Sequence, residues 1–412
     1  MKKYIKKLAV FTLSLVLVIP LFYFPLEVNA DDDDEAEYMG EDLLTDIPEV
    51  PTAAAVGTTL DIKAKSVVLM EPYTGNVLYE NNADERLAPA SITKIMSLLL
   101  VMEAIENEKL TLDTKVTASE HAASMGGSQI WLEVGEEMTV DELLRASVIA
   151  SANDATVALA EAVSGSEETF VALMNERAKE LGMKNTTFVN CCGLDTDGHL
   201  TSGRDVAIMA SALIKHALIK KYSTVWMDAL RNGKSELTNT NKLVRYYSGA
   251  TGLKTGTTSK AGCCVAATAE RDGMELVAVV MGGETSNERF TGAKKLLDYG
   301  FANWSFVTLT PNLGEVGEIP VLKGMEKFIT ADSGGGEINL LLSKGKQEEV
   351  TQTVEINENI EAPVLTGDII GSVKFVLDGK QVGELPVYSA NTVEKVTFFN
   401  ALALLISSAI AP

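Results

Sequence analysis

Pro89-Ala90-Ser91-Ile92-Thr93-Lys94-Ile95-Met96-Ser97-Leu98-Leu99-Leu100 begins like a capped helix and continues as an almost unbroken apolar run in which Lys94 is the one charge. The pattern predicts a helix from Ser91 to about Asn107. On a helix, positions i and i+3 share a face, so the Lys94 amine comes beside the Ser91 hydroxyl. Desolvation by Ile92, Ile95 and Met96 would lower the lysine pKa, and the pair reads as a serine nucleophile with a lysine base. The same spacing recurs in Ser343-Lys344-Gly345-Lys346, within a turn. An N-cap serine followed by an ordinary helix lysine is therefore the competing reading of the motif alone.

Outward from this helix, Lys65 to Met70 and Asn76 to Glu80 flank Pro72-Tyr73-Thr74-Gly75 and read as a hairpin. Helical segments are expected over Val140 to Ala162, Glu167 to Leu181 and Gly203 to His216, then strands over Gly252 to Thr257, Gly262 to Ala269 and Met274 to Met281, and a helix over Arg289 to Tyr299. A hairpin early, helices in the middle and strands late give one α/β layered domain whose sheet is assembled from both ends of the segment. The chemistry belongs where the middle meets that sheet.

Beyond Pro311, short alternating runs at Glu337 to Leu342, Glu349 to Ile356 and Gly371 to Leu377 suggest a small β-sandwich-like module. Val393 to Ala411 is mostly apolar, and at about 100° per residue Thr397, Asn400, Ser407 and Ser408 share one narrow arc. This reads as a helix lying in a membrane interface, with a terminal helix docked on the protein as the alternative.

The chain has 412 residues and a formal charge of -22, which supplies no basic footprint for nucleic acid. Lys2, Lys3, Lys6 and Lys7 precede an apolar stretch from Leu8 to about Phe24, and Val28-Asn29-Ala30 follows. That order reads as a signal peptide over residues 1–30, with an uncleaved anchor as the alternative, and places the rest outside the cytoplasm. Asp31-Asp32-Asp33-Asp34-Glu35 opens an acidic linker over 31–55. His121, His199 and His216 show no ligand spacing beside the cysteines, so no metal site is expected, and no cofactor. Cys191-Cys192 and Cys263-Cys264 lie in a compartment that tolerates disulfides. If the second pair lies on a strand, its side chains face opposite ways, which favours one bridge, Cys191 to Cys264, over two; free buried thiols are the alternative.

Two further motifs join the first. Ser151-Ala152-Asn153 sets a hydroxyl and an amide in a tight turn between helices, where they can relay a proton and hold a substrate carbonyl, although Ser389-Ala390-Asn391 repeats the pattern. Lys254-Thr255-Gly256-Thr257 begins a late strand: Gly256 lets a ligand approach the backbone, while the ammonium and hydroxyls suit a carboxylate.

In this order the three motifs are those of penicillin-binding proteins and class A β-lactamases. The chain resembles the low-molecular-mass penicillin-binding proteins that act as D-alanyl-D-alanine carboxypeptidases. Ile149 to Ala155, Gly252 to Gly256, Lys260-Ala261-Gly262, Met281-Gly282-Gly283, Phe188-Val189-Asn190 with Gly193-Leu194, and Lys294 to Leu297 with Tyr299-Gly300-Phe301 resemble that family's surroundings. The resemblance implies an α/β (α+β) fold of the β-lactamase/DD-peptidase kind, with an antiparallel sheet and a helical region over Val56 to Thr308. A small all-β domain over 309–390 and an amphipathic membrane-associating helix over 391–412 would follow.

It also implies roles. Lys94 would take the proton of Ser91, which attacks the penultimate D-alanine carbonyl of a peptidoglycan stem peptide, and the backbone N–H groups of Ser91 and Thr257 would hold the oxyanion. Ser151 would pass a proton to the departing D-alanine, Asn153 would orient Lys94 and the substrate, and Lys254 and Thr255 would bind the terminal carboxylate or support Ser151. Arg289 matches a family arginine near the pocket, with an exposed arginine at a helix start as the alternative. β-Lactams are the implied inhibitors. Ala152 replaces the aspartate of class A β-lactamases, and no Glu-Pro-Glu-Leu-Asn-like segment precedes Lys254 to supply their deacylation base, so a penicillin acyl-enzyme should be long-lived. A serine β-lactamase and a non-enzymatic β-lactam or cell-wall binding protein are the alternative functions.

Overall fold

The computed structural model describes residues 59–314 and 316–410; the signal-peptide and acidic-linker expectations lie outside them. The early hairpin is β1 (Ser66–Met70) and β2 (Val77–Asn81). A 3₁₀ turn at Ala90–Thr93 leads into α1 (Lys94–Glu106), followed by β3 (Lys115–Thr117), α2 (Glu120–Ala123), β4 (Glu137–Thr139), α3 (Val140–Ile149), α4 (Asn153–Ser164), α5 (Glu167–Glu180) and α6 (Gly203–Ile214). Next come α7 (Lys220–Ser223), β5 (Met227–Leu230), β6 (Ser235–Thr238), α8 (Leu243–Tyr246), β7 (Ala250–Thr258), β8 (Gly262–Arg271), β9 (Met274–Gly283) and α9 (Ser286–Asn303).

The main sheet runs β2-β1-β9-β8-β7, antiparallel at every junction, so two early strands and three late ones close it. Its strands β1, β8 and β9 read as nearly continuous apolar runs because both faces are covered. Strand periodicity divides each run. Val67, Leu69, Val265, Ala267, Ala278 and Val280 pack with Phe290, Leu296 and Leu297 of α9, whereas Val68, Met70, Ala266, Val277, Val279 and Met281 face α1 and α6. Register confirms the sorting, since Val67 pairs with Val280 and Val68 with Val279.

The segment expected as helical over Val140 to Ala162 is broken. A Thr139–Glu142 capping box starts α3, and Ser151 at φ 61° separates it from α4. This left-handed serine turns the chain so that Asn153 opens a new helix, with its N–H on the Ser128 carbonyl at 2.7 Å.

The C-terminal part comprises β10 (Trp304–Leu309), β11 (Ile319–Pro320), β12 (Phe328–Ile329), β13 (Ala331–Asp332), β14 (Ile338–Ser343), β15 (Thr351–Ile356), β16 (Ile369–Leu377), β17 (Lys380–Ser389) and α10 (Phe398–Ile410). A four-stranded sheet, β13-β17-β16-β15, surrounds a separate core containing Ile329, Val373, Phe375 and Val387. The expected boundary after Thr308 falls inside β10, which pairs with β14 and carries Trp304 into contact with Tyr299 of α9. In α10, Thr397 and Asn400 cap the helix start: each side chain accepts the other's backbone N–H, at 3.4 and 2.6 Å. Their polarity thus serves the helix end.

Both decoy motifs are structural. Lys344 donates to the Phe301 carbonyl at 2.7 Å, and Asn391 accepts the Thr330 N–H at 2.9 Å.

Candidate active site

The sheet ends at β7, and the start of α1 lies against that strand. A Cβ on Gly256 would sit 2.8 Å from the Ser91 amide nitrogen and 3.0 Å from that of Ile92, so only glycine lets the strand come this close. From the other side the loop 190–194 presses on the same turn. Gly193 has φ 92°, and a Cβ there would overlap the Ala90 carbonyl. Asn190 shapes this loop by accepting the N–H groups of Cys192, Gly193 and Leu194 at 3.1, 2.6 and 3.1 Å.

The buried Lys94 amine stands 3.0 Å from Ser91 Oγ, 2.6 Å from Asn153 Oδ1 and 3.0 Å from the Cys192 carbonyl. Three segments therefore meet on one nitrogen. Asn153 Nδ2 donates to the Gly126 carbonyl at 2.6 Å, which fixes the amide with its oxygen toward the lysine. On the facing wall, Lys254 donates to Ser151 Oγ at 2.7 Å and to the Thr255 carbonyl at 3.1 Å. Thr255 Oγ1 donates to Thr240 Oγ1 at 2.6 Å. Arg289 is buried: its Nη1 reaches Thr257 Oγ1 at 2.8 Å and the Gly256 carbonyl at 3.3 Å, and its Nη2 reaches Ser286 Oγ at 3.2 Å.

These groups surround an open cleft lined by Ser91, Ser151, Asn153, Thr255, Gly256 and Thr257, among others. Every motif residue read from the sequence is in the cleft wall or bonded to a residue that is. The roles of Cys192, Gly193, Thr240 and Ser128 were not anticipated. Cys192 contributes a backbone carbonyl, which no residue type signals, whereas the Asn190–Gly193 turn was a usable cue.

The expected Cys191–Cys264 disulfide is absent, and all four cysteines are free thiols. Cys191 lies in the loop beside α1, with its sulfur 3.7 Å from that of Cys192 and its carbonyl accepting from Ser97. Cys264 faces into β8–β9, where its sulfur accepts the Gly282 N–H at 3.4 Å. The hydrogen bond to Cys192 and burial raise the Cys191 thiol, and burial pushes Cys264 up to about 11, so neither is a thiolate at neutral pH.

His199 ties the Ser91 turn to the loop. Its Nδ1 accepts the Val189 N–H at 2.9 Å, so its Nε2–H donates to Thr93 Oγ1 at 2.8 Å, and burial lowers its pKa from 6.5 to about 4.

A family model described as D-alanyl-D-alanine carboxypeptidase matches residues 51–285, and one described as the C-terminal domain of penicillin-binding protein 5 matches residues 308–395. The D-alanyl-D-alanine carboxypeptidase DacF of Bacillus subtilis (strain 168) is 45% identical over 344 residues, covering 82% of this chain and 88% of its own. The crystal structure of penicillin-binding protein 5 from Haemophilus influenzae superposes with a TM-score of 0.68 at 33% identity, over 82% of this chain and 99% of that one. Penicillin-binding protein D2 from Listeria monocytogenes, in its ampicillin-bound form, superposes with a TM-score of 0.54 at 32% identity, over 59% of this chain and 99% of that one.

Gly193→Ala should move the Cys192 carbonyl off Lys94 and slow acylation by a fluorescent penicillin about a hundredfold. Gly198→Ala, also left-handed but with open space around it, is the control for backbone strain and should stay near wild type. Because the native His199 resists protonation, stability is fully present above pH 6.5 and falls as the pH drops toward 4, where the unfolded chain binds a proton that the native one refuses. Urea midpoints across that window should decline, and His199→Gln should remove this part of the decline.

Proposed function

The chain belongs to the D-alanyl-D-alanine carboxypeptidase family and is a penicillin-binding serine D-Ala-D-Ala carboxypeptidase, and from that premise we propose that Ser91 is its nucleophile and Lys94 its base. The observation that carries this assignment is the position of the Lys94 amine, which is buried and 3.0 Å from Ser91 Oγ. Asn153 Oδ1 and the Cys192 carbonyl, at 2.6 and 3.0 Å, hold it against the serine.

The substrate is a peptidoglycan stem peptide ending in D-Ala-D-Ala. β7 is an edge strand, so its outer row of backbone groups is open to an extended peptide. Thr255, Thr257 and Arg289 receive the terminal carboxylate, with the penultimate carbonyl over Ser91. Ser91 Oγ bonds to that carbon as its proton passes to Lys94, and the backbone N–H groups of Ser91 and Thr257 hold the developing oxyanion. When the C–N bond breaks, Ser151 gives a proton to the departing D-alanine amine and recovers one from Lys254, 2.7 Å away. Water then attacks the ester on Ser91: its proton passes through Ser151 to restore Lys254, and Lys94 returns to Ser91 Oγ the proton it took. Among the described residues lining the cleft there is no carboxylate to activate that water, which supports a long-lived penicilloyl ester.

We place the enzyme on the outer face of the cytoplasmic membrane. The basic and apolar order of residues 2–24 supports export, and α10 supports surface attachment, since Phe398 and Phe399 are 75% and 81% exposed and Leu402 and Ile406 are also exposed. No helix among the described residues is long and apolar enough to cross a membrane.

D-alanine release from diacetyl-Lys-D-Ala-D-Ala by the wild type and by Ser91→Ala tests the assignment. The wild type should release it and the variant should release none. A chromogenic cephalosporin should give one stoichiometric burst. A variant as active as the wild type contradicts the mechanism, and steady cephalosporin turnover marks a β-lactamase.

A further inference from the structure

Trp131 is 74% exposed and its φ is 60°. A bulky residue in the left-handed region is a genuine outlier, so the loop holds this indole in water against both backbone strain and the hydrophobic effect. The restraints are specific. The buried Asp154 carboxylate accepts the N–H groups of Ile130 and Leu132, at 3.1 and 3.0 Å, and so grips the residues on either side of Trp131. Arg231 donates to the Ile130 carbonyl at 2.7 Å and the Trp131 carbonyl at 3.4 Å, and is itself held by Glu136 at 2.7 and 3.0 Å.

The inner end of the same loop is part of the cleft. Gly127 and Ser128 line it, and the Gly126 and Ser128 carbonyls accept from the Asn153 side chain and backbone at 2.6 and 2.7 Å. Two adjacent residues at the start of α4 therefore fix both ends, Asn153 the cleft end and Asp154 the outer end. Three Cα steps separate Ser128 from Trp131, which keeps the Trp131 backbone within about 11 Å of the cleft wall. That distance is about three extended peptide residues.

From this placement we propose that Trp131 is the platform for the aliphatic, amine-bearing side chain of the residue that precedes D-Ala-D-Ala in the stem peptide. The inference rests on the carboxypeptidase reading. A peptide held through a carbonyl on Asn153 leaves the cleft along the wall that Asn153 anchors. The residue within reach of the indole is then one of the first three before the scissile bond, which places the sugar beyond it. An indole face takes a methylene chain by area burial and its terminal ammonium by cation–π attraction. Glu133, exposed two positions on, supplies the matching charge at the same rim.

The test compares kcat/KM for D-alanine release from Nα-acetyl-Lys-D-Ala-D-Ala and Nα-acetyl-Ala-D-Ala-D-Ala in the wild type, Trp131→Ala and Trp131→Phe. The lysyl-to-alanyl ratio should fall about tenfold in Trp131→Ala and stay within about threefold in Trp131→Phe. An unchanged ratio overturns the proposal, whether because both substrates suffer equally or because neither does. A loss seen only when a muramyl sugar is attached to the peptide also overturns it, in favour of a glycan contact. Failure of the wild type to release D-alanine from either peptide would instead defeat the carboxypeptidase reading.

Discussion

A lysine amine with no exposure to water must find its partners inside the protein, and the burial of Lys94 dictates much of what surrounds it. Its three oxygen partners come from the turn before α1, from the start of α4 and from the 190–194 loop. Each of those segments is then locked in turn: the first between Gly193 and Gly256, the second by Asn153 on the Gly126 carbonyl, the third by Asn190 and His199. The two glycines matter because they let backbone meet backbone at Ser91, where a single methyl group would push the segments apart. The second lysine, Lys254, is held differently, with Ser151 and its own strand as partners, and so suits proton supply to a leaving group.

What could be read beforehand follows from the range of each interaction. Ser91 and Lys94 are one helical turn apart, so their contact follows from local geometry. The strands β1, β8 and β9 were also legible, because burial on both faces leaves apolar runs. By contrast, Lys254 meets Ser151 across 103 positions of sequence, and only the order of motifs and their family resemblance linked the two. Backbone acceptors such as the Cys192 carbonyl left no mark in the sequence, because any residue type can supply them.

The cysteines failed for a related reason. Alternation along β8 sends Cys263 and Cys264 to opposite faces, but it does not say which face meets the loop that carries Cys191. In the fold Cys191 instead lies beside α1 and next to its own neighbour. In the last helix, Thr397 and Asn400 of the polar arc have a local duty as well, since they cap the helix start.

The central claim is that Lys94 removes the Ser91 proton, and Lys94→Arg tests it most directly. Arginine keeps much of the length and the hydrogen-bond donors but cannot lose its proton in a protein. With benzylpenicillin and intact-mass detection, the wild type should gain one penicilloyl group that maps to Ser91, and the variant should acylate about a hundredfold to ten-thousandfold more slowly. Acylation of the variant at the wild-type rate, or an adduct on another residue, would contradict the account.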